Sequence, residues 1–237
     1  MDYQEIMEKL AALAKPSAEA DLKRFGNRYK NVFGVAVPAL KKLAKTIGKQ
    51  HELAEKLWQA DMRETRILAS MIACPEAVTV EQMDRWANDF ATWEICDQVC
   101  RNLFVNVAHA YRKCFAWSGH EKELVRRAGF VLMSRLAVTD KSAPDTKFML
   151  FMAPIKQGAT DERPYVKKAV NRALQQIGKR SFALNELAVH TALEIADLPG
   201  QSAAWIASDA LRELQSEAVQ QSLPAPVRMI IYAAAED

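Results

Sequence analysis

Thr65–Cys74 (TRILASMIAC), Asp97–Val107 (DQVCRNLFVNV), Arg127–Ala137 (RAGFVLMSRLA), Lys167–Ile177 (KKAVNRALQQI) and Trp205–Leu214 (WIASDALREL) are five versions of one apolar helix. Their starts step by about 30 to 40 residues, the period of two-helix solenoid repeats. Each has an apolar face too wide to bury alone, so neighbouring units must stack. More polar helical stretches alternate with them, among them HELAEKLWQA from His51 and VTVEQMDRWANDF from Val78. Short connections between helices make antiparallel neighbours. Upstream, Tyr3–Ala14 places Ile6, Leu10, Leu13 and Ala14 at amphipathic spacing. Pro38 opens PALKKLAKTIGK, with proline in the first turn and Gly48 near the end, the order helices favour.

The expected fold is therefore all-α, an α-solenoid of HEAT-like antiparallel helix pairs with a concave basic groove, running as one domain over residues 1–237. Residues 222–237, broken by Pro224 and Pro226, are expected either to dock on the end repeat or to fray. Only 8 Gly and 9 Pro interrupt 237 residues, which leaves little for tight hairpin turns. Met1–Lys15 lacks the basic start and apolar run of a signal peptide. No apolar run reaches the length of a membrane span. Cys74, Cys96, Cys100 and Cys114 form no CxxC pair and have no spaced histidines beside them. A cytoplasmic monomer with reduced thiols and no metal or other cofactor is the reading.

The net charge of +3 conceals an uneven distribution. Residues 22–49 hold eight Lys/Arg and no acid, and 99–180 hold sixteen bases against six acids. Between them, 50–98 carry ten acids against four bases, and 181–237 carry eight acids against two bases. Two basic blocks folded onto one face would suit a polyanion, whereas spread over helix exteriors they would be ordinary solvated charge.

Phe90–Asp97 (FATWEICD) is the segment that points to chemistry. Trp93 and Asp97 are four apart, which stacks an indole and a carboxylate on one helix face. The competing account has Trp93 filling a repeat interface while Asp97 pairs with Arg101, also four residues on. One repeat later, Arg126 and Arg127 stand near the start of an apolar helix, a poor place for a cation unless an anion lies nearby. A 30-residue repeat puts Arg127 on the same surface as Asp97, facing either an external anion or that carboxylate. Lys167 and Lys168 open their helix in the same way. Together with Lys41, Lys42, Lys45, Arg172, Lys179, Arg180 and Arg126 they are the candidate contacts for the phosphates of a polyanion. Cys96 and Cys100 read as small core residues, and Trp58, Trp86, Trp117 and Trp205 as repeat packing.

Trp93-x3-Asp97, Arg127 within VRRAGFVLM, YVKKAVNRALQQIGKR and the N-terminal FGNRYKNVFGVAVPALKKLAK resemble the HEAT-like repeat alkylpurine DNA glycosylases, the AlkD-like DNA alkylation repair enzymes. The likeness runs from about residue 20 to residue 215 in the same order. It implies a cleft in which Trp93, Asp97 and Arg127 act on double-stranded DNA containing alkylated purines. The implied reaction is hydrolysis of the N-glycosidic bond of cationic N3- or N7-alkylated purines, with the base able to stay in the duplex. Asp97 would stabilise the oxocarbenium ion and orient water, Trp93 would face the sugar, and Arg127 would hold a phosphate. The chain departs from the family at Arg172, where a second cleft tryptophan is usual, and at Phe25, where a tyrosine is. Two other functions fit the same fold: a non-catalytic HEAT-repeat protein that binds unusual DNA structures, and a HEAT scaffold for another protein.

Overall fold

The computed structural model describes residues 1–15 and 32–224. The FGNRYKN segment with Phe25 (residues 25–31) and residues 225–237 of the tail lie outside them. In chain order the helices are α1 (Tyr3–Ala12), α2 (Val37–Ile47), α3 (His51–Gln59), α4 (Arg63–Ile72), α5 (Val80–Asn88), α6 (Trp93–Asn102) and α7 (Ala110–Ser118). There follow α8 (Glu123–Thr139), α9 (Asp145–Met149), α10 (Met152–Gly158), α11 (Pro164–Gly178), α12 (Phe182–Ala196), α13 (Gln201–Leu214) and α14 (Glu217–Ser222). Among the described residues there is no strand, and no helix is long and apolar enough to cross a membrane.

The helices sort into two rows. α2, α4, α6, α8, α11 and α13 touch in succession and form the inner row, and α3, α7, α10 and α12 back onto it from outside. Each of the five apolar stretches overlaps an inner helix, because these helices are covered by neighbours in the row and from behind. Their boundaries differ from the expected ones. The helix expected over Asp97–Val107 runs instead from Trp93 to Asn102, because the Thr92 hydroxyl accepts from the Ile95 N–H (3.2 Å) and caps it four residues earlier. Arg127 and Lys167 accordingly lie about a turn inside their helices, which begin at Glu123 and Pro164. The helix dipole fades within its first turn, so it gives no reason for cations there.

Side chains bridge successive units at nearly constant sequence separation. The Trp58 indole donates to Asp89 (2.9 Å), Lys113 to Asp84 (2.6 Å) and Asn102 to Ser70 (3.0 Å), over separations of 31, 29 and 32 residues. Further along, Asn171 and Gln175 both donate to Asp209, over 38 and 34 residues. The repeat period is thus carried by polar cross-links as well as by apolar spacing. Behind them Trp58 and Trp86 stack with centroids 4.0 Å apart, and Phe90, Phe104 and Trp117 continue the aromatic seam. Trp205 does not join the packing as expected. It is 38% exposed, with the Lys167 ammonium 5.3 Å from its ring centroid.

α7 and α8 approach closely at Gly129. A Cβ there would meet Ser118 N at 2.7 Å and Trp117 C at 3.0 Å, and backbone cannot swing aside as a side chain can. Gly129→Ala is expected to destabilise the protein by about 2–3 kcal/mol, the upper range for overpacking. A chemical denaturation midpoint checks it, and an unchanged midpoint would mean that α7 and α8 separate freely.

Candidate active site

Three inner helices meet around an open pocket of about 490 Å³. α6 supplies Trp93, Glu94, Asp97, Gln98 and Arg101 to its wall, α8 supplies Arg127, Val131, Ser134 and Arg135, and α11 supplies Lys168, Ala169, Arg172 and Gln175. Trp93 also borders a second pocket of about 460 Å³, which Tyr165 helps to line, so the indole forms a partition between two cavities.

The two carboxylates on α6 are each gripped by an arginine fork from a neighbouring inner helix. Arg127 of α8 donates from Nε and Nη2 to the two Asp97 oxygens, both at 2.8 Å. Its remaining nitrogen, Nη1, donates to the Tyr165 carbonyl at 2.6 Å. Arg63 of α4 grips Glu94 the same way, at 2.7 and 2.6 Å, and adds Glu64 and the Val35 carbonyl at 3.0 Å each. Glu64 is fully buried and also accepts from the Phe33 N–H (3.1 Å), which ties residues 32–36 to α4. Burial alone would lower the pKa of both arginines, but the hydrogen bonds and charge of Asp97 and Glu94 overcome it and raise them. Both guanidiniums stay charged, as bidentate pairs require.

This geometry answers one question the sequence left open. Asp97 pairs with Arg127 rather than with Arg101, and the side chain of Asp97 remains 35% exposed to the pocket while that of Arg127 is 10% exposed. Arg127 is poorly placed to hold a phosphate: its side chain is 10% exposed and each of its three nitrogens already donates within the chain. Its Cζ lies 5.9 Å from the Trp93 ring centroid, so indole, guanidinium and carboxylate form one cluster.

Of the expected DNA contacts, Lys168 and Arg172 line the pocket and are exposed. Lys41, Lys42 and Lys45 are exposed on α2, outside it. The others are engaged elsewhere. Arg126 lies 3.3 Å from Asp161, Lys179 pairs with Glu213, and Lys167 sits over Trp205. Arg180 is a correction. Its side chain is buried, donates to the carbonyls of Ala137 (3.2 Å) and Ala143 (2.5 Å), and stacks 4.1 Å from the Phe148 centroid. Those carbonyls lie at and just beyond the C-terminal end of α8, where a cation satisfies groups the helix leaves open. Sequence reasoning missed Arg101 (except as a rival partner for Asp97) and Arg135. The signal was available: Arg101, Arg135 and Arg172 are spaced 34 and 37 apart, within the repeat period.

Burial of Cys96 and Cys100 behind this wall is complete, in keeping with small core residues. Burial first, and then the neighbouring Cys100, push the Cys96 thiol well above its ordinary value, so it is an unreactive thiol.

A family model described as DNA alkylation repair enzyme matches residues 6–214. The chain also superimposes on a solved structure from a new family of proteins related to the HEAT-like repeat DNA glycosylases with affinity for branched DNA structures. That match has a TM-score of 0.74 and 24% sequence identity, and covers 90% of this chain and 96% of the other. The likeness supports the helical-repeat architecture over nearly the whole chain. No curated protein matches.

Proposed function

Because the chain belongs to the family of DNA alkylation repair enzymes, we propose that it binds duplex DNA along the inner row and hydrolyses the N-glycosidic bond of cationic N3- or N7-alkylated purines. The observation that carries this reading is the cluster of Trp93, Asp97 and Arg127 at the wall of the pocket, with the Asp97 carboxylate fixed by a two-point fork and still open to solvent.

Alkylation at N3 or N7 gives the purine a positive charge, so it leaves without a proton donor. The C1′–N bond breaks, its electron pair goes to the base and neutralises it, and C1′ acquires oxocarbenium character. A fixed carboxylate beside C1′ stabilises that cation and orients the water whose oxygen bonds to C1′. The water's proton passes to the carboxylate or to solvent. Products are the free base and an abasic site. Trp93 offers its face to the sugar and to the cationic base. Arg127, largely covered and with each nitrogen already donating within the chain, acts here as a positioning residue for Asp97. Phosphate contact passes to Lys168 and Arg172.

The test is release of free 7-methylguanine or 3-methyladenine from methylated duplex DNA. Release is expected, and duplex affinity should fall with salt at a log–log slope of about −0.9 per phosphate contacted. A second reading, a non-catalytic protein for unusual DNA structures, is favoured by Arg172 in the aromatic position and by the branched-DNA affinity of the solved relative. Tight, salt-sensitive binding without base release would establish that reading. Salt-insensitive behaviour would leave only a protein scaffold.

A further inference from the structure

We propose that Arg101, Arg135 and Arg172 form a phosphate-binding subsite that takes a phosphodiester of the DNA backbone beside Asp97. The proposal rests on the DNA-binding reading above and adds to it the place and the chemistry of one contact.

The three arginines come from successive inner helices, α6, α8 and α11, and line one pocket. Most other arginines of the described residues have a carboxylate: Arg63 has Glu94, Arg126 and Arg163 share Asp161, Arg127 has Asp97 and Arg180 has Asp145, while Arg112 stands exposed on α7. Among the described residues Arg101, Arg135 and Arg172 have no ion pair, and Nε of Arg135 is buried without a hydrogen-bond partner. Burial, then the charges of Arg101 and Arg172, hold the Arg135 pKa below the ordinary arginine value.

Like charges gathered this way oppose folding, and more so at the reduced effective dielectric of a protein pocket. The apolar neighbours Val131 and Ala169 on the same wall indicate that neutral side chains fit there. An anion reverses the sign of the interaction. Guanidinium forks match the non-bridging oxygens of a phosphate, and Gln98 and Ser134 are neutral polar residues on the same pocket wall. Asp97 and Arg127, paired at two points, together add little net charge to the arginine cluster.

The experiment compares wild type with Arg135→Gln and, as a second variant at an exposed position, Arg172→Gln. Melting temperature is measured in chloride and in inorganic phosphate at equal ionic strength, and affinity is measured for one unmodified duplex. In chloride, Arg135→Gln is expected to melt above wild type, because repulsion is relieved. Phosphate is expected to raise the wild-type melting temperature and to leave both variants nearly unmoved. Each variant is expected to bind the duplex about tenfold more weakly, the scale of one charge-assisted hydrogen bond, with a salt slope shallower by about 0.9. Variants with the wild-type phosphate response and duplex affinity would overturn the subsite while leaving the DNA-binding reading intact. If phosphate stabilises wild type alone, yet wild type does not bind duplex DNA, the subsite stands as an oxyanion site and the DNA reading fails.

Discussion

Asp97→Asn is expected to slow base release by at least about a hundredfold, the scale of removing one electrostatic stabiliser from a preorganised site. The substitution keeps the shape of the side chain and one oxygen acceptor, but deletes the charge that faces the developing oxocarbenium ion. It also frees part of the positive charge of Arg127, which is engaged at two points by the carboxylate. Duplex affinity is therefore expected to hold or to rise slightly. Single-turnover release of 7-methylguanine from a defined duplex, with a binding titration beside it, separates the two effects. Release at the wild-type rate would remove Asp97 from the chemistry and reduce the pair to a structural latch.

Arg127→Met carries the second large effect, on two measurements at once. Truncating one partner of a buried pair costs about 3–5 kcal/mol, and the partial exposure of Asp97 reduces that to about 2–3 kcal/mol of folding stability. The Tyr165 carbonyl loses its donor as well. Release should slow by about a hundredfold, since the carboxylate keeps its charge and loses its aim. DNA affinity should change by less than about threefold, because Arg127 is largely covered and each of its nitrogens already donates within the chain; one lost phosphate contact would cost more. Arg127→Lys is not expected to restore release, as an ammonium cannot hold two carboxylate oxygens and a carbonyl in one plane. The double variant with Asp97→Asn should be no slower than Asp97→Asn alone, the non-additivity of residues that act as a unit. An affinity loss of tenfold or more in Arg127→Met would return Arg127 to the phosphate role that the family resemblance implied.

The architecture was legible because stacked helix pairs leave a long-period apolar signal, and each of the five apolar stretches overlaps an inner helix, with Thr65–Cys74 and Asp97–Val107 running past the ends of theirs. Their boundaries were less so: the cap at Thr92 is a local hydrogen bond that apolar periodicity does not register. For the site, Trp93, Asp97 and Arg127 were recoverable from spacing, since separations of four and thirty residues meet on one wall. Which arginine Asp97 takes was not, because Arg101 and Arg127 are both in reach on sequence grounds, and only the crossing of α6 and α8 decides between them. Runs of basic residues proved a poor guide to the groove. Of the pair Lys179 and Arg180, one meets Glu213 and the other turns to the end of α8, while the isolated Arg101 and Arg135 line the pocket. Charge counted along a chain says nothing of which helix face carries it.

α6 is held from both sides, by Arg63 of α4 through Glu94 and by Arg127 of α8 through Asp97. Both latches span the seams between consecutive units, so a change in the bend of the superhelix must load them together. The bend between units and the direction of the Asp97 carboxylate are then a single mechanical variable. A duplex that fits the natural arc leaves the carboxylate on target, and one that forces the arc open pulls it off line. Selectivity of that kind would reside in the stiffness of the spine rather than in any contact with a base.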